Sequence, residues 1–117
     1  MPPRPWPLRV RDIIERAVAI RESTSGLTYD QFANDADLRD ANIYRVAIIG
    51  EAANAIPEAI RSRHPEIPWR RIRDISNVLM HVYFGINLAT AWRTIQCDVP
   101  EVERQMRQLL AAEGEAP

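Results

Sequence analysis

Apolar positions recur at helical spacing along the whole chain, and no stretch alternates as a half-buried strand does. Val10, Ile13, Ile14, Ala17 and Ile20 form the first stripe, which predicts a helix closed by Ser25-Gly26. Thr28 and Gln31 have capping-box spacing, so a short second helix is expected, ending near Asn34. Asp35 and Asp37 supply N-cap chemistry for a long third helix. That helix is expected to carry Leu38, Ala41, Ile48, Ala52, Ala55, Ile56 and Ala59 on one face, with Gly50 inside it for close helix packing. Pro57 is expected to kink it and His64-Pro65 to end it.

Pro68 suits the first turn of a fourth helix running to about Phe84, with Gly85 as its stop. Asn87 can cap a shorter fifth helix through Gln96. Asp98-Val99-Pro100-Glu101 reads as a second capping box, opening a final helix with Val102, Met106, Leu109 and Leu110 inward. The tail 113–117 is expected to fray. There is no repeat and no flexible linker, so residues 1–117 read as one helical domain. The expected fold is all-α, an antiparallel bundle of five to six helices. A domain of this size buries a moderate core, and pairing of two copies through a helix face is a natural supplement.

Composition narrows the function classes. The 117 residues are 46% hydrophobic and 26% charged, with fifteen basic against sixteen acidic residues and a net charge of −1. That balance excludes a strongly cationic nucleic-acid binder, though not a local basic patch. Every basic residue is arginine, the better planar multi-donor partner for phosphate. The single cysteine, Cys97, excludes a disulfide framework, and two histidines argue against zinc. No metal and no cofactor are expected. No apolar run approaches the ~20 residues of a spanning helix. The start, Met1 to Leu8, is broken by prolines and has no apolar signal-peptide region. A small cytoplasmic domain with no membrane partner is expected.

The fourth helix carries the candidate chemistry. At about 100° per residue, Ile72, Ile75, Val78, Leu79 and Val82 form a core face. Arg73, Asn77, His81 and Phe84 fall on the opposite side. Guanidinium, carboxamide and imidazole on one stripe suit RNA cleavage without a metal. An imidazole with a pKa near ~6.5 can take a proton from a ribose 2′-hydroxyl or give one to the leaving 5′-oxygen. Arginine can stabilise the extra negative charge on phosphorus, and asparagine can orient either partner. Two copies meeting along this helix, around residues 68–84, would double the site and form a cleft.

Upstream, residues 61–74 hold Arg61, Arg63, Arg70, Arg71 and Arg73 against Glu66 and Asp74, with His64 and Trp69 interleaved. Such a stretch attracts a phosphate backbone, with Trp69 or His64 available to stack on a base. Blander roles stay open for each: a structural His81, an Arg73 bridge to Asp74 or Asp40, an Asn77 bonded to a neighbouring helix, and Trp69 as a core anchor. Glu51 is a candidate supporting acid for His81 or Arg73. Arg45 intrudes on an apolar face, so it needs a carboxylate partner or a place in the cleft. Cys97 reads as a small buried or half-buried residue. Tyr44, Trp92 and Trp6 read as packing residues.

His81-Val82-Tyr83-Phe84-Gly85 resembles the signature of the HepT-like ribonuclease toxins of the HEPN superfamily. The likeness extends to Ile48-Ile49-Gly50-Glu51-Ala52-Ala53, to Ile67-Pro68-Trp69 followed by Ile72, and to Asn77-Val78-Leu79-Met80. The resemblance implies a helical homodimer with a basic cleft and metal-independent RNA endonuclease activity. It implies a toxin neutralised by a cognate nucleotidyltransferase antitoxin. His81 takes the acid/base role with Asn77 in support, and Tyr83 matches a tyrosine that some systems modify with AMP. The family's signature places an arginine five residues before the histidine, where this chain has Ser76. Arg73, one turn earlier, is the nearest replacement. The expected site is therefore His81, Arg73 and Asn77, with Arg63, Arg70, Arg71 and Trp69 on RNA and Ser76 and Glu51 in support. The competing readings are a disarmed module that binds a nucleotide, RNA or a protein partner, and a helical dimerisation domain without a site.

Overall fold

The computed structural model describes residues 4–83, 85 and 87–116, with residues 81–83 as backbone alone, and these are helical without a strand. Helix α1 (Trp6–Thr24) has a proline in its first turn and buries Val10, Ile13, Ala17 and Ile20. Gly26, at φ 76°, turns the chain as expected. In α2 (Tyr29–Asn34) the capping box forms: Thr28 Oγ1 accepts from the Gln31 N–H and Gln31 Oε1 accepts from the Thr28 N–H. The Asp35 carboxylate caps α3 (Ala36–Asn54) by accepting from the Leu38 N–H at 3.1 Å.

Of the expected face, Ala52 and Ile56 are buried and Leu38 and Ile48 half-buried, but the centre of the buried stripe on α3 is rotated from it. Asn42, Ile43, Val46, Ile49, Gly50 and Ala53 point inward, whereas Ala41, Ala55 and Ala59 are exposed. The alanines fitted either face, and the branched residues decided between them by burying more apolar area. Pro57 does more than kink this helix. α3 stops at Asn54, and Pro57, extended at φ −60° and ψ 145°, leads into a separate α4 (Glu58–Arg63).

The expected fourth helix is two helices, α5 (Trp69–Asp74) and α6 (Asn77–Tyr83). Gly85 follows at φ 69°, the left-handed stop expected there. Asn87 caps α7 (Leu88–Arg93), its side-chain oxygen accepting from the Thr90 N–H. The second capping box does not form. A π-helical turn, Thr94–Asp98, carries α7 directly into α8 (Val99–Ala112). Asp98 is itself helical at φ −81° and ψ −41°, which frees its carboxylate to accept from Arg71 at 2.8 Å.

α1 lies between α3 and α8, and all three enclose a core in which Ile13, Ile20, Phe32, Ile49, Ile72, Met106 and Leu109 are fully buried. Trp92 stacks at a tilt on Phe32, with ring centroids 4.9 Å apart. α1 and α8 run antiparallel, clipped by Arg21–Glu103 at 3.2 Å and Arg11–Glu115 at 3.7 Å. Burial pushes the Glu103 carboxyl up, but hydrogen bonds from Arg21 and Arg107 outweigh it and hold the group below its ordinary value. In the tail, Glu113 accepts from Arg63 and contacts His64, and the Ala116 carbonyl accepts from Arg11 at 2.8 Å. Pro117 lies outside the described residues. No helix of the structure is long and apolar enough to cross a membrane.

Gly50 is where α3 meets the break between α5 and α6. A Cβ there would lie 2.6 Å from the Ser76 nitrogen, 2.7 Å from the Ser76 Cβ and 3.0 Å from the Arg73 carbonyl oxygen. None of these is the end of a flexible side chain, so α3 or the α5–α6 junction must move. Alanine gains about 1 kcal/mol of helix propensity over glycine, and overpacking a rigid contact costs about 1–3 kcal/mol. Gly50→Ala is therefore expected to lower the melting temperature despite the better propensity. An unchanged or raised melting temperature would contradict this packing.

Candidate functional site

Positioning of the site begins at Trp69. Its ring is buried and its Nε1–H donates to the His64 carbonyl at 3.0 Å, pinning the first turn of α5 to the end of α4. Base stacking by Trp69 is thereby excluded in this conformation, because its face is spent on the core. His64 is likewise no stacking platform. It is buried, with Nε2 2.7 Å from Glu113 and Nδ1 3.5 Å from Glu66. Ile72 and Ile75 then bury the inner side of α5 and the junction.

At the junction the backbone tightens. Ile75, Val78 and Leu79 N–H groups bond carbonyls three residues back, at Ile72, Ile75 and Ser76. Such a 3₁₀-like stretch marks a local change of winding. The Ser76 hydroxyl donates to the Arg73 carbonyl at 3.1 Å, and its backbone sits against Gly50. Ser76 is thus half-buried at the inside of the break. Arg73 and Asn77 do not lie on one straight helix, so the uniform angular stripe read from the sequence is interrupted between them.

The basic stretch divides into two sets. Arg63 pairs with Glu113 at 2.5 Å and Arg71 with Asp98 at 2.8 Å, each fastening α8 to the rest of the bundle. Arg70 and Arg73, three residues apart on α5, make no ion pair or side-chain hydrogen bond among the described residues. Neither Asp74 nor Asp40 takes Arg73: Asp40 accepts from Arg39 at 3.1 Å. Exposed Arg70, half-buried Arg73 and exposed Asn77 thus leave two guanidinium groups and a carboxamide open to a ligand. The side chains of His81 and Tyr83 lie outside the described residues, as does Phe84; α6 carries the backbone of the first two.

Other expected residues settle differently. Glu51 is exposed on α3 and bonds no described group. Arg45 finds no carboxylate; its guanidinium donates to the Asn42 carboxamide oxygen at 3.1 Å, which also accepts from the Ser23 hydroxyl. Asn42 is fully buried, and its role was illegible because a polar residue at helical spacing reads as surface. Tyr44 is 61% exposed and does not pack, and Leu79 and Met80 on α6 are 44% and 51% exposed. Cys97 is exposed rather than buried. Among the described residues, no cluster of histidine, cysteine and carboxylate side chains could hold a metal ion.

The sequence reading missed the knot around Glu113. Hydrogen bonds from Arg63 and then His64 hold this carboxyl far below its ordinary 4.5, at about 2. No local pattern signals it, because Glu113 lies about fifty positions from the adjacent Arg63 and His64.

The chain is thus a small helical bundle in which Arg70 and Arg73 have no ion-pair partner among the described residues. The HepT-like ribonuclease family model matches residues 13–109, and the chain belongs to that family. It is 32% identical to "Putative RNase TTE0752" of Caldanaerobacter subterraneus subsp. tengcongensis, over 95% of this chain and 96% of that one. It is 35% identical to "Putative RNase MJ1380" of Methanocaldococcus jannaschii, over 81% and 87% respectively. With "Probable ribonuclease HepT" of Thermococcus cleftensis it shares 34% identity, over 86% and 91%. No solved structure matches the chain.

The Glu113 knot makes a pH prediction. A carboxyl with a depressed folded-state pKa stabilises the fold above its ordinary 4.5, and that stabilisation is lost as pH falls toward about 2. Glu113→Gln should lower the melting temperature at neutral pH and flatten its decline between those two pH values. Parallel acid limbs for wild type and variant would contradict the assignment.

Proposed function

We propose that the chain is a metal-independent RNA endonuclease, active as a homodimer, and the toxin half of a toxin–antitoxin pair. The observation that carries this reading is the Arg70–Arg73–Asn77 face, which holds cations without carboxylate partners while the neighbouring Arg63 and Arg71 are paired. His81 lies four residues beyond Asn77 on α6. Its imidazole takes the proton of a ribose 2′-hydroxyl as that oxygen attacks the adjacent phosphorus. The bond from phosphorus to the 5′-oxygen breaks, and the leaving oxygen receives a proton in turn. Arg73 stabilises the charge that builds on the phosphoryl oxygens, and Asn77 orients the imidazole or the phosphate.

Arg70 binds the RNA backbone. Arg63 and Arg71 are 54% and 73% exposed and reach it by exchanging a carboxylate for a phosphate. Pairing of two copies along α6 is supported by its exposed Leu79 and Met80, which no neighbouring helix covers in one chain. Tyr83 is the modification site of this reading: AMP placed there by a nucleotidyltransferase antitoxin adds negative charge beside the arginine face and repels RNA. The disarmed-module alternative draws on Ser76, whose hydroxyl is turned back on the Arg73 carbonyl and supplies no cation.

RNA cleavage in EDTA tests the reading. Wild type should cleave, His81→Ala should lose at least ~100-fold, and Arg73→Ala should lose roughly 100- to 1,000-fold. Wild-type silence together with cleavage by Ser76→Arg would replace the nuclease with the disarmed module. Abolition of wild-type cleavage by the chelator would overturn the mechanism.

A further inference from the structure

Between α1 and α8 runs an open groove of about 510 Å³, with Ile14, Val18, Leu110 and Ala111 along it and Arg11, Glu15, Arg107 and Glu115 around them. No residue of α5 or α6 lines it, so it lies apart from the arginine face. We propose that this face docks on the same face of a second copy, across a two-fold axis that reverses the helix direction.

The order of the charges on α1 is self-complementary. On α1, Leu8, Arg11, Glu15 and Val18 share one side, within about 80° of arc at 100° per residue. When one α1 is laid antiparallel on another so that Arg11 meets Glu15 of the second copy, Glu15 meets the second Arg11 and Leu8 falls opposite Val18. That register places the axis at the level of Ile13. α8 ends at Ala112 and turns at Gly114, and Ala111 is the exposed small residue of its last turn. The ion pairs Arg11–Glu115 and Arg21–Glu103 fix the register of the two helices. Arg21–Glu103 joins the helices themselves; Ile13 lies eight residues from Arg21 and Ala111 eight from Glu103, so in antiparallel helices the two are level. The two-fold set by α1 therefore passes close to Ala111 on α8.

On α1 the groups can still engage, although Arg11 already pairs with Glu115 at 3.7 Å. Glu15 is exposed and has no ion-pair partner among the described residues. Arg11 donates to the Ala116 carbonyl but has five N–H donors in all, so a second acceptor can be added. Ala111, exposed and small, sits at the crossing point, where two helices can approach closely. α1 has nineteen residues and α8 fourteen, and a face two helices wide and about 21 to 28 Å long is of the same order as the ~800 Å² per partner that specific interfaces use.

The test places cysteine on the axis. In a Cys97→Ser background, Ala111→Cys should form a disulfide-linked dimer on mild oxidation, whereas Ser62→Cys, on α4, should not. Arg11→Glu or Glu15→Arg alone should weaken self-association at least ~tenfold and suppress the link, because each sets like charges opposite at two points. The charge-swapped Arg11→Glu/Glu15→Arg chain should restore both. Met80→Asp on α6 should leave the link unchanged, which separates this face from the pairing along α6. A cross-link unaffected by either reversal, one abolished by Met80→Asp, or no link at the highest soluble concentration would overturn the proposal. Because the double swap and Ser62→Cys are read beside circular dichroism, misfolding of one variant does not decide the matter.

Discussion

The contact of α3 with the α5–α6 junction is the constraint on which the arginine face depends. Gly50 lets the backbone at Ser76 approach α3 to a distance that no side chain would permit. The chain tightens there into three-residue hydrogen bonds, and α5 gives way to α6 across Ile75 and Ser76. Burial of Ile72, Ile75 and Val78 on the inner side holds both short helices against the core. Helices of six and seven residues are too short to stand alone in water. Their order comes from this packing, and so does the direction in which Arg70, Arg73 and Asn77 face outward.

Charge is distributed by the same logic. Arginines that find a carboxylate act as fasteners: Arg21 on Glu103, Arg63 on Glu113 and Arg71 on Asp98 join α8 to α1, α4 and α5. Each exposed pair contributes little singly. Their value lies in register, since α8 closes the bundle and its two ends are held by different helices. Asp98 illustrates the exchange, giving up a cap for an ion pair because the π-helical turn already satisfies the backbone. What remains unpaired on α5 is available to an anion.

Much of this was legible in the sequence, and the exceptions share a cause. The helical class, the Thr28 and Asn87 caps, the end of α2 at Asn34 and the glycine stops follow from local rules, and local rules were enough. The break at Ser76 was not legible, because Ile72, Ile75 and Val78 keep helical spacing straight through it; only the approach of Gly50 from another helix reveals it. Trp69 and His64 carried chemistry compatible with base stacking, yet burial and a hydrogen bond between them give both a structural place. The face of α3 was misjudged because alanine fits either side of a helix. Asn42 and the Glu113 knot join residues distant in the chain, and no local pattern announces such partners. The family, by contrast, was readable from short segments in order, and the match over residues 13–109 agrees with it.

The central claim is that Arg73, across the break from Asn77, supplies the cation that Ser76 cannot. The most direct test moves that cation back: single-turnover RNA cleavage in chelator by Arg73→Ala beside the double variant Arg73→Ala/Ser76→Arg. The account predicts that the single variant is nearly silent and that the double variant recovers most of the wild-type rate. Wild-type cleavage by Arg73→Ala alone would contradict it, since the phosphate would then be held by some other group.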